Sequence, residues 1–136
     1  MKKIVIFGST GSIGQQTLEV LRAFPGEFRV VGLTAHKNEE LLKKQAKEFS
    51  SAHMPTFPIA VHLTPTLEQI ANLTAQADTV INALPGFAGL EVSLATVRAS
   101  ASAKPKTLLS ANKESLAIAG HYLRKEAEKT DAQIFP

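Results

Sequence analysis

The sequence predicts a doubly wound α/β fold, in which a mostly parallel sheet of about six strands carries helices on both faces. Short apolar runs alternate along the chain with longer segments of helical period, as expected for parallel strands joined by crossover helices. A turn rich in glycine directly follows the first apolar run. The 136 residues, 44% of them hydrophobic, suffice for one domain over 1–136 with a substantial core.

The first half of the chain has the clearest boundaries. Lys3–Phe7 is an apolar run that ends at a glycine, and residues 12–23 form the helix candidate that Pro25-Gly26 terminates. Residues 28–34 are rich in β-branched side chains and predict the second strand. Asn38 is a plausible N-cap for a second helix over 38–49, because two glutamates follow it.

The second half continues the same alternation. The patterns predict strands over 58–61, 79–84, 107–109 and 132–135, helices over 65–75, 87–98 and 114–129, and loops over 50–58 and 99–105. The last helix has the most regular apolar face, formed by Leu116, Ala119, Gly120, Leu123 and Ala127. This alternation suggests a Rossmann-type sheet of order 3-2-1-4-5-6, whose ligand crevice opens beyond the first and fourth strands.

Composition excludes several classes of protein. The net charge is +3, but Lys and Arg are interleaved with Glu, so no basic tract predicts nucleic-acid binding. The absence of cysteine excludes disulfides and thiolate metal sites. No apolar run approaches the roughly 18 residues of a membrane span. We therefore expect a cytoplasmic protein that binds neither nucleic acid nor membrane.

The glycine turn, residues 8–14, reads GSTGSIG. A dinucleotide needs its pyrophosphate brought against backbone N–H groups at a helix N-terminus, where a side chain would block it. Gly8 would make the tight turn, Gly11 would admit the phosphates, and Gly14 would let the helix pack close to its strand. The lining N–H groups and hydroxyls are expected from Ser9, Thr10, Ser12 and Ile13. The alternative is a plain strand-to-helix turn; a Walker A loop is excluded, because no Lys-Ser or Lys-Thr follows.

The end of the second strand indicates which dinucleotide binds. An NAD-binding fold places a carboxylate there for the ribose 2′-hydroxyl, whereas this chain reads His36-Lys37-Asn38. These residues favour the 2′-phosphate of NADP. The alternative is that Lys37 is only a solvated residue ahead of a helix.

Two further segments are expected near the crevice. Gly86 and Gly89, after the fourth strand, would permit close approach of the nicotinamide half. Asn112 can cap the last helix, which leaves Lys113 and Glu114 facing the crevice. The alternative at Gly86 and Gly89 is a plain strand-to-helix connection, and the alternative at Asn112 is a capped helix with two solvated charges.

Three stretches together carry a family resemblance: KKIVIFGSTGSIGQQTLEVLRAFPGEFRVVGLTAHKNEELLKKQAKEF, GFAGL and LLSANKESLAIAG. They resemble the NADPH-binding domain of 1-deoxy-D-xylulose 5-phosphate reductoisomerase, of the methylerythritol phosphate route to isoprenoids. The resemblance implies rearrangement and NADPH-dependent reduction of a sugar phosphate to 2-C-methyl-D-erythritol 4-phosphate. It also implies a divalent Mg or Mn ion and a homodimer.

The resemblance implies roles for individual residues as well. Thr10, Gly11, Ser12 and Ile13 match residues that hold the pyrophosphate, and Lys37 and Asn38 match the 2′-phosphate site. Asn112 and Glu114 match cofactor contacts, and Lys113 matches a residue facing the substrate. The family usually has glycine in place of His36, residues 50–76 look shortened, and 100–105 look inserted.

The resemblance leaves the catalytic and C-terminal domains, and the acidic Asp-x-Glu motif of the metal site, outside residues 1–136. No carboxylate or histidine cluster in the sequence suggests a metal ligand set, and we nominate no catalytic residue. We therefore expect this chain alone to bind NADPH weakly without catalysis. Two alternatives remain open: a free-standing NADP-binding regulatory module, and a short-chain dehydrogenase or epimerase relative, although Tyr122 lacks the lysine four residues later.

Overall fold

The computed structural model describes residues 1–53 and 58–136. Six strands and five helices alternate strictly along this part of the chain. The strands are β1 (Lys2–Phe7), β2 (Phe28–Ala35), β3 (Ala60–Leu63), β4 (Thr79–Asn82), β5 (Thr107–Ser110) and β6 (Gln133–Phe135). The helices are α1 (Ser12–Ala23), α2 (Glu39–His53), α3 (Leu67–Gln76), α4 (Ala88–Ala99) and α5 (Lys113–Thr130).

All strand pairs in the sheet are parallel, and the strand order is β3-β2-β1-β4-β5-β6. The predicted fold class and strand order are therefore confirmed. The order reverses between β1 and β4, where Ile4 pairs with Thr79 and Phe7 with Asn82. A crevice for a ligand opens at such a reversal in this class of sheet.

The core lies on both faces of the sheet, because β1 alternates between them. Ile4 and Ile6 pack with the buried face of α1 and α2, whereas Val5 and Phe7 pack with residues of α3 and α4. Burial on both faces explains why β1 reads as a continuous apolar run rather than an alternating one. None of the helices in the described part of the chain is both long and apolar enough to cross a bilayer.

Several predicted boundaries were wrong. Strand β4 ends at Asn82 rather than at residue 84, and α3 begins at Leu67 rather than at residue 65. Helix α2 continues to His53, although residues 50–58 were expected to form a loop. Ser50 and Ser51 are compatible with a helix end but do not force one, and the first proline in the sequence after the start of α2 is Pro55. Strand β3 pairs with β2 from Ala60 to Leu63, two residues later than predicted, because its position is set by the β2 ladder rather than by its own apolar run. Residues 54–57 of the predicted loop lie outside the described part.

At the amino ends of the strands, here called the amino edge of the sheet, side chains of the chain itself hydrogen-bond to backbone groups. The Asp78 carboxylate accepts from the Lys3 N–H at 2.9 Å, which ties β1 to the turn before β4. The ammonium of Lys106, a residue only 3% exposed, donates to the carbonyls of Ala75 and Ala77 at 3.0 and 2.5 Å. Burial lowers the pKa of Lys106. Unused carbonyls at the end of α3 are thereby satisfied within the chain.

The Asp78 contact predicts a pH-dependent contribution to stability. The hydrogen bond from Lys3 lowers the pKa of Asp78. A carboxylate whose pKa is lower in the folded state stabilises the fold above its unfolded pKa of about 3.9, and this contribution is lost as the pH falls through the folded pKa. We expect Asp78→Asn to lower the free energy of unfolding by about 1 kcal/mol at neutral pH and by less near pH 3.

Urea denaturation at both pH values measures this difference. Asp131→Asn is the matched control, because Asp131 lies in a left-handed helix cap that suits asparagine. An Asp78→Asn variant that loses as much stability near pH 3 as at neutral pH would contradict the assignment.

Candidate cofactor-binding site

The turns that follow β1 and β4 are in direct contact at the carboxyl ends of the strands, here called the carboxyl edge of the sheet. Gly8 follows β1 with φ +86°, and a Cβ atom there would lie 2.9 Å from the Ala83 carbonyl oxygen. The Ala83 N–H in turn donates to the Phe7 carbonyl at 2.9 Å. The point at which the strand order reverses is therefore lined by these two turns, as the sequence predicts.

Gly14 is required by the packing of α1 on its own preceding turn. A Cβ atom at Gly14 would lie 2.2 Å from the Gly8 carbonyl oxygen and 2.5 Å from Ser9 Cα. Real Cβ atoms do not approach backbone that closely, so only glycine fits. The predicted reason for Gly14 is thus refined: the close contact is with the turn that follows the strand.

Gly11 is different, because no contact within the described part of the chain requires a glycine there. Its φ and ψ, −77° and 175°, are open to any residue, and a Cβ atom would meet only the Gly8 carbonyl oxygen, at 3.6 Å. Space is free above Gly11 in the described structure. A ligand that approaches the backbone closely would explain the glycine.

The first amides of α1 are open beside Gly11. Helix α1 has no side-chain cap and no acidic residue in its first turn, and its first backbone bond runs from Gln15 N–H to the Gly11 carbonyl. The amides of Ser12 and Ile13 precede that bond, and both residues are exposed. Gln15 also donates from its side chain to the carbonyl of the half-buried Thr10, at 2.8 Å, which holds the turn in shape. Such a helix start attracts anions.

Ser9 does not line this site, and its expected role there was wrong. The residue is fully buried, and its hydroxyl donates to Gln45 Oε1 at 2.8 Å, while Gln45 Nε2 donates to the Ser9 carbonyl at 3.0 Å. Ser9 therefore fastens the turn to α2. Sequence analysis missed Gln45, although a glutamine beside Leu42, Ala46 and Phe49 on a buried helix face was a signal that it has a polar partner inside.

The residues after β2 are exposed and lie at the same carboxyl edge. Asn38 caps α2, as predicted, because its Oδ1 accepts from the Leu41 N–H at 3.1 Å. Lys37 is exposed and has no ion-pair partner in the described part of the chain. His36 is exposed as well, but its Nδ1 lies 3.2 Å from the Thr64 hydroxyl, a contact that sequence analysis did not foresee.

Asn112 joins the start of α5 to the turn after β4. It caps α5, as predicted, by accepting from the Ser115 N–H at 2.7 Å. Its Nδ2 donates to the carbonyls of Leu84 and Gly86, at 2.7 and 2.8 Å. Asn112 is 1% exposed. Because both side-chain protons and the side-chain oxygen are engaged inside the chain, its side chain positions the turn.

Gly89 serves Asn112, so its expected role in cofactor approach was wrong. A Cβ atom at Gly89 would lie 2.3 Å from Asn112 Nδ2, and Gly89 is buried. Gly86, by contrast, has φ +67°, and no atom of the described residues lies near its missing side chain. Contacts inside the chain therefore explain Gly89 but not Gly86.

Lys113 and Glu114 begin α5 and are both exposed, next to the turn that Asn112 holds. Neither has an ion pair within residues 1–53 and 58–136. The same residues contain no group of three or more His, Asp or Glu side chains that could hold a metal ion. The carboxyl edge thus presents open amides, Lys37 and the Lys113-Glu114 pair, which suit an elongated ligand with phosphate groups.

Comparison with known families identifies the chain. The family model for 1-deoxy-D-xylulose 5-phosphate reductoisomerase matches residues 4–120. The chain belongs to this family. The family resemblance predicted from the glycine turn and the residues around Asn112 is therefore confirmed.

Relatives and solved structures agree with this assignment. The reductoisomerase of Thermodesulfovibrio yellowstonii is 36% identical over 149 residues, which cover 100% of this chain and 38% of that protein. A crystal structure of DOX-P reductoisomerase with magnesium matches with a TM-score of 0.86 and 30% identity, covering 100% of this chain and 37% of that one. A second, with NADPH, fosmidomycin and magnesium, matches with a TM-score of 0.75 and 27% identity, covering 100% and 36%.

The chain thus spans about 38% of the length of this curated reductoisomerase. The aligned stretch of 149 residues is longer than the 136 residues here, so that relative has residues without a counterpart in this chain. Membership of the reductoisomerase family also rules out the short-chain dehydrogenase alternative. Tyr122, on which that alternative depended, is a residue of α5 that is 45% exposed.

The contrast between Gly11 and Gly14 gives a direct test of the site. We expect Gly11→Ala to keep the melting temperature of the parent chain, because the added methyl group meets no close atom and the backbone is in an ordinary region. The same methyl group would obstruct a pyrophosphate, so NADPH affinity should fall by about tenfold or more. Calorimetric titration and thermal melting measure the two effects separately.

Gly14→Ala is the matched control, since the same methyl group should clash with backbone and lower the melting temperature by at least several degrees. Unchanged NADPH affinity in a folded Gly11→Ala variant would argue against a pyrophosphate at this turn.

The substitution Asn112→Asp separates the contact by which Asn112 caps α5 from its contacts with the turn after β4. Asn112→Asp keeps the oxygen that caps α5 but loses both protons donated to Leu84 and Gly86, and it places a carboxylate against two carbonyls. We expect the free energy of unfolding to fall by about 2–3 kcal/mol. Ser115→Ala, which removes a hydroxyl on the capping side only, should cost less. Equal losses in urea denaturation would show that the two donated bonds to the turn contribute no more than the Ser115 hydroxyl bond, and would contradict a positioning role for the Asn112 amide.

Proposed function

We propose that this chain is the NADPH-binding domain, over residues 1–136, of an enzyme that rearranges and reduces 1-deoxy-D-xylulose 5-phosphate to 2-C-methyl-D-erythritol 4-phosphate. Family membership supports this function for the protein to which the domain belongs. The observation that carries the cofactor assignment is Gly11. Its missing side chain serves no contact among the described residues and leaves space beside the open amides of α1. NADPH, when bound, supplies the hydride for the reduction.

The pyrophosphate fits the start of α1. The amides of Gly11, Ser12 and Ile13 and the backbone of Thr10 would hold it, with Gly8 and Gly14 shaping the turn. Gly11 N–H itself donates to the Gly8 carbonyl at 3.2 Å, so the amides of Ser12 and Ile13 are the stronger candidates. A crystal structure of DOX-P reductoisomerase, 27% identical to this chain, is a complex with NADPH, which supports the same cofactor here.

The adenosine 2′-phosphate fits the turn after β2. Lys37 offers a cation without a described ion-pair partner, His36 offers a ring nitrogen, and Asn38 keeps its amide protons while its oxygen caps α2. A carboxylate that would accept from a ribose 2′-hydroxyl does not occur in this turn. The turn therefore supports NADPH rather than NADH.

The nicotinamide half and the substrate fit the other side of the crevice. Glu114 and the backbone of Asn112 would meet the cofactor, while the side chain of Asn112 is occupied in holding the turn at Gly86. The ammonium of Lys113 would face the sugar phosphate, as an exposed cation suited to an anionic substrate. No catalytic residue is assigned within this domain.

The divalent metal of the proposed reaction does not fit the described residues, which contain no ligand cluster. We propose that Mg or Mn is held by a further domain of the enzyme. We also propose that the enzyme is a homodimer and that it works in the cytoplasm without nucleic-acid or membrane partners.

Sequencing the gene beyond codon 136 tests whether this domain belongs to a longer enzyme. Continuation into an acidic Asp-x-Glu segment supports the enzyme, whereas a stop codon supports a free-standing NADP-binding module.

Titration of this chain with NADPH and NADH tests the cofactor assignment. We expect weak binding of both, with NADPH favoured, and Lys37→Ala should weaken NADPH by about tenfold while NADH changes little. The reason is that only NADPH places a phosphate beside this ammonium. Lys43→Ala is the matched control, because Lys43 is an exposed lysine of α2 that already pairs with Glu39 at 2.7 Å.

Absence of NADPH binding, or equal losses in both lysine variants, would contradict the proposed 2′-phosphate site. Raising the salt concentration should reduce the NADPH preference as well, since ionic screening weakens contacts between exposed charges.

A further inference from the structure

Thr64 lies directly after β3 in a backbone conformation that is unusual for its residue type. Its φ is +43°, in the left-handed region that β-branched residues rarely adopt. In this conformation its N–H donates to the Ala35 carbonyl at 2.8 Å. Its hydroxyl lies 3.2 Å from His36 Nδ1 and 3.3 Å from the His36 carbonyl oxygen. An outlier of this kind calls for a reason beyond the connection of β3 to α3.

The consequence is that an exposed imidazole is held in one orientation. His36 and Thr64 are separated by 28 residues in sequence, yet they join the turn after β2 to the turn after β3. Whichever of the two groups donates, the contact engages Nδ1. The other ring nitrogen, Nε2, has no hydrogen-bond partner in the described part of the chain and is available to a ligand.

We propose that Thr64 is a positioning residue for recognition of the nucleotide 2′-phosphate, which it serves by fixing the His36 ring so that Nε2 can meet a phosphate oxygen. The inference rests on the proposed NADPH function. Lys37 supplies the neighbouring positive charge in the same turn. A single proton between Nε2 and a phosphate oxygen forms the hydrogen bond from His36 to the ligand. A flexible imidazole would have to be ordered on binding, whereas the Thr64 contact orders it beforehand.

Variants of Thr64 separate this role from a structural one. Thr64→Val keeps the shape and β-branching but removes the hydroxyl, and Thr64→Ser keeps the hydroxyl. In titrations with NADPH and NADH, we expect Thr64→Val to weaken NADPH by roughly threefold to tenfold, the effect of one hydrogen bond, with NADH changed by less than about twofold. Thr64→Ser should restore NADPH affinity.

A double-variant cycle tests whether Thr64 acts through His36. In a His36→Ala background, Thr64→Val should cause no further loss of NADPH affinity, because the positioned ring is gone. Thermal melting checks that each variant is folded. Thr64→Gly, which tolerates positive φ and lacks the hydroxyl, provides the same measurement if the valine variant does not fold.

Three outcomes would overturn the inference: unchanged NADPH affinity without the hydroxyl, equal loss for NADPH and NADH, or an undiminished loss in the His36→Ala background. Failure of the unmodified chain to bind NADPH would overturn the proposed function, and this inference with it. NADPH binding that ignores Thr64 would overturn the inference alone.

Discussion

Helix α1 begins so close to the turn before it that a single methyl group at Gly14 would lie 2.2 Å from the Gly8 carbonyl oxygen. This close packing directs the first amides of α1 outward at the edge where β1 and β4 meet. The open space at Gly11 lies beside these amides only because Gly8 and Gly14 hold the turn in this shape. Without the constraint, a helix start with free amides would not lie at the reversal of strand order.

Buried polar side chains keep the surrounding turns in place. Gln45 fastens Ser9 to α2, Asn112 fastens the turn at Leu84 and Gly86 to α5, and Asn82 donates to the Gly89 carbonyl at 2.7 Å. Buried polar groups are costly unless they are paired, and no buried side-chain polar atom among the described residues lacks a partner. The hydrogen bonds of these buried side chains therefore hold the turns in position. Contacts with a ligand are left to backbone amides and exposed side chains.

The two edges of the sheet consequently differ in chemistry. At the amino edge, the side chains of Asp78 and Lys106 form hydrogen bonds with backbone groups of the chain itself. At the carboxyl edge, the start of α1 has no cap, and Lys37 has no ion pair in the described part. Open amides, together with cations that lack an ion-pair partner among the described residues, suit a phosphorylated dinucleotide, which is the ligand that we propose for this edge.

The sequence by itself determined the alternation of strands and helices, the glycine turn and the caps at Asn38 and Asn112, because these follow from short-range periodicity and local turn chemistry. The strand order followed indirectly, because right-handed crossover connections leave few arrangements for such an alternation. Only the tertiary structure decided that Ser9 turns inward to Gln45, 36 residues away, and that Gly89 makes room for Asn112. It also decided where β3 begins and that Thr64 holds His36. Those features depend on which groups packing brings together across long separations, and no local pattern encodes that.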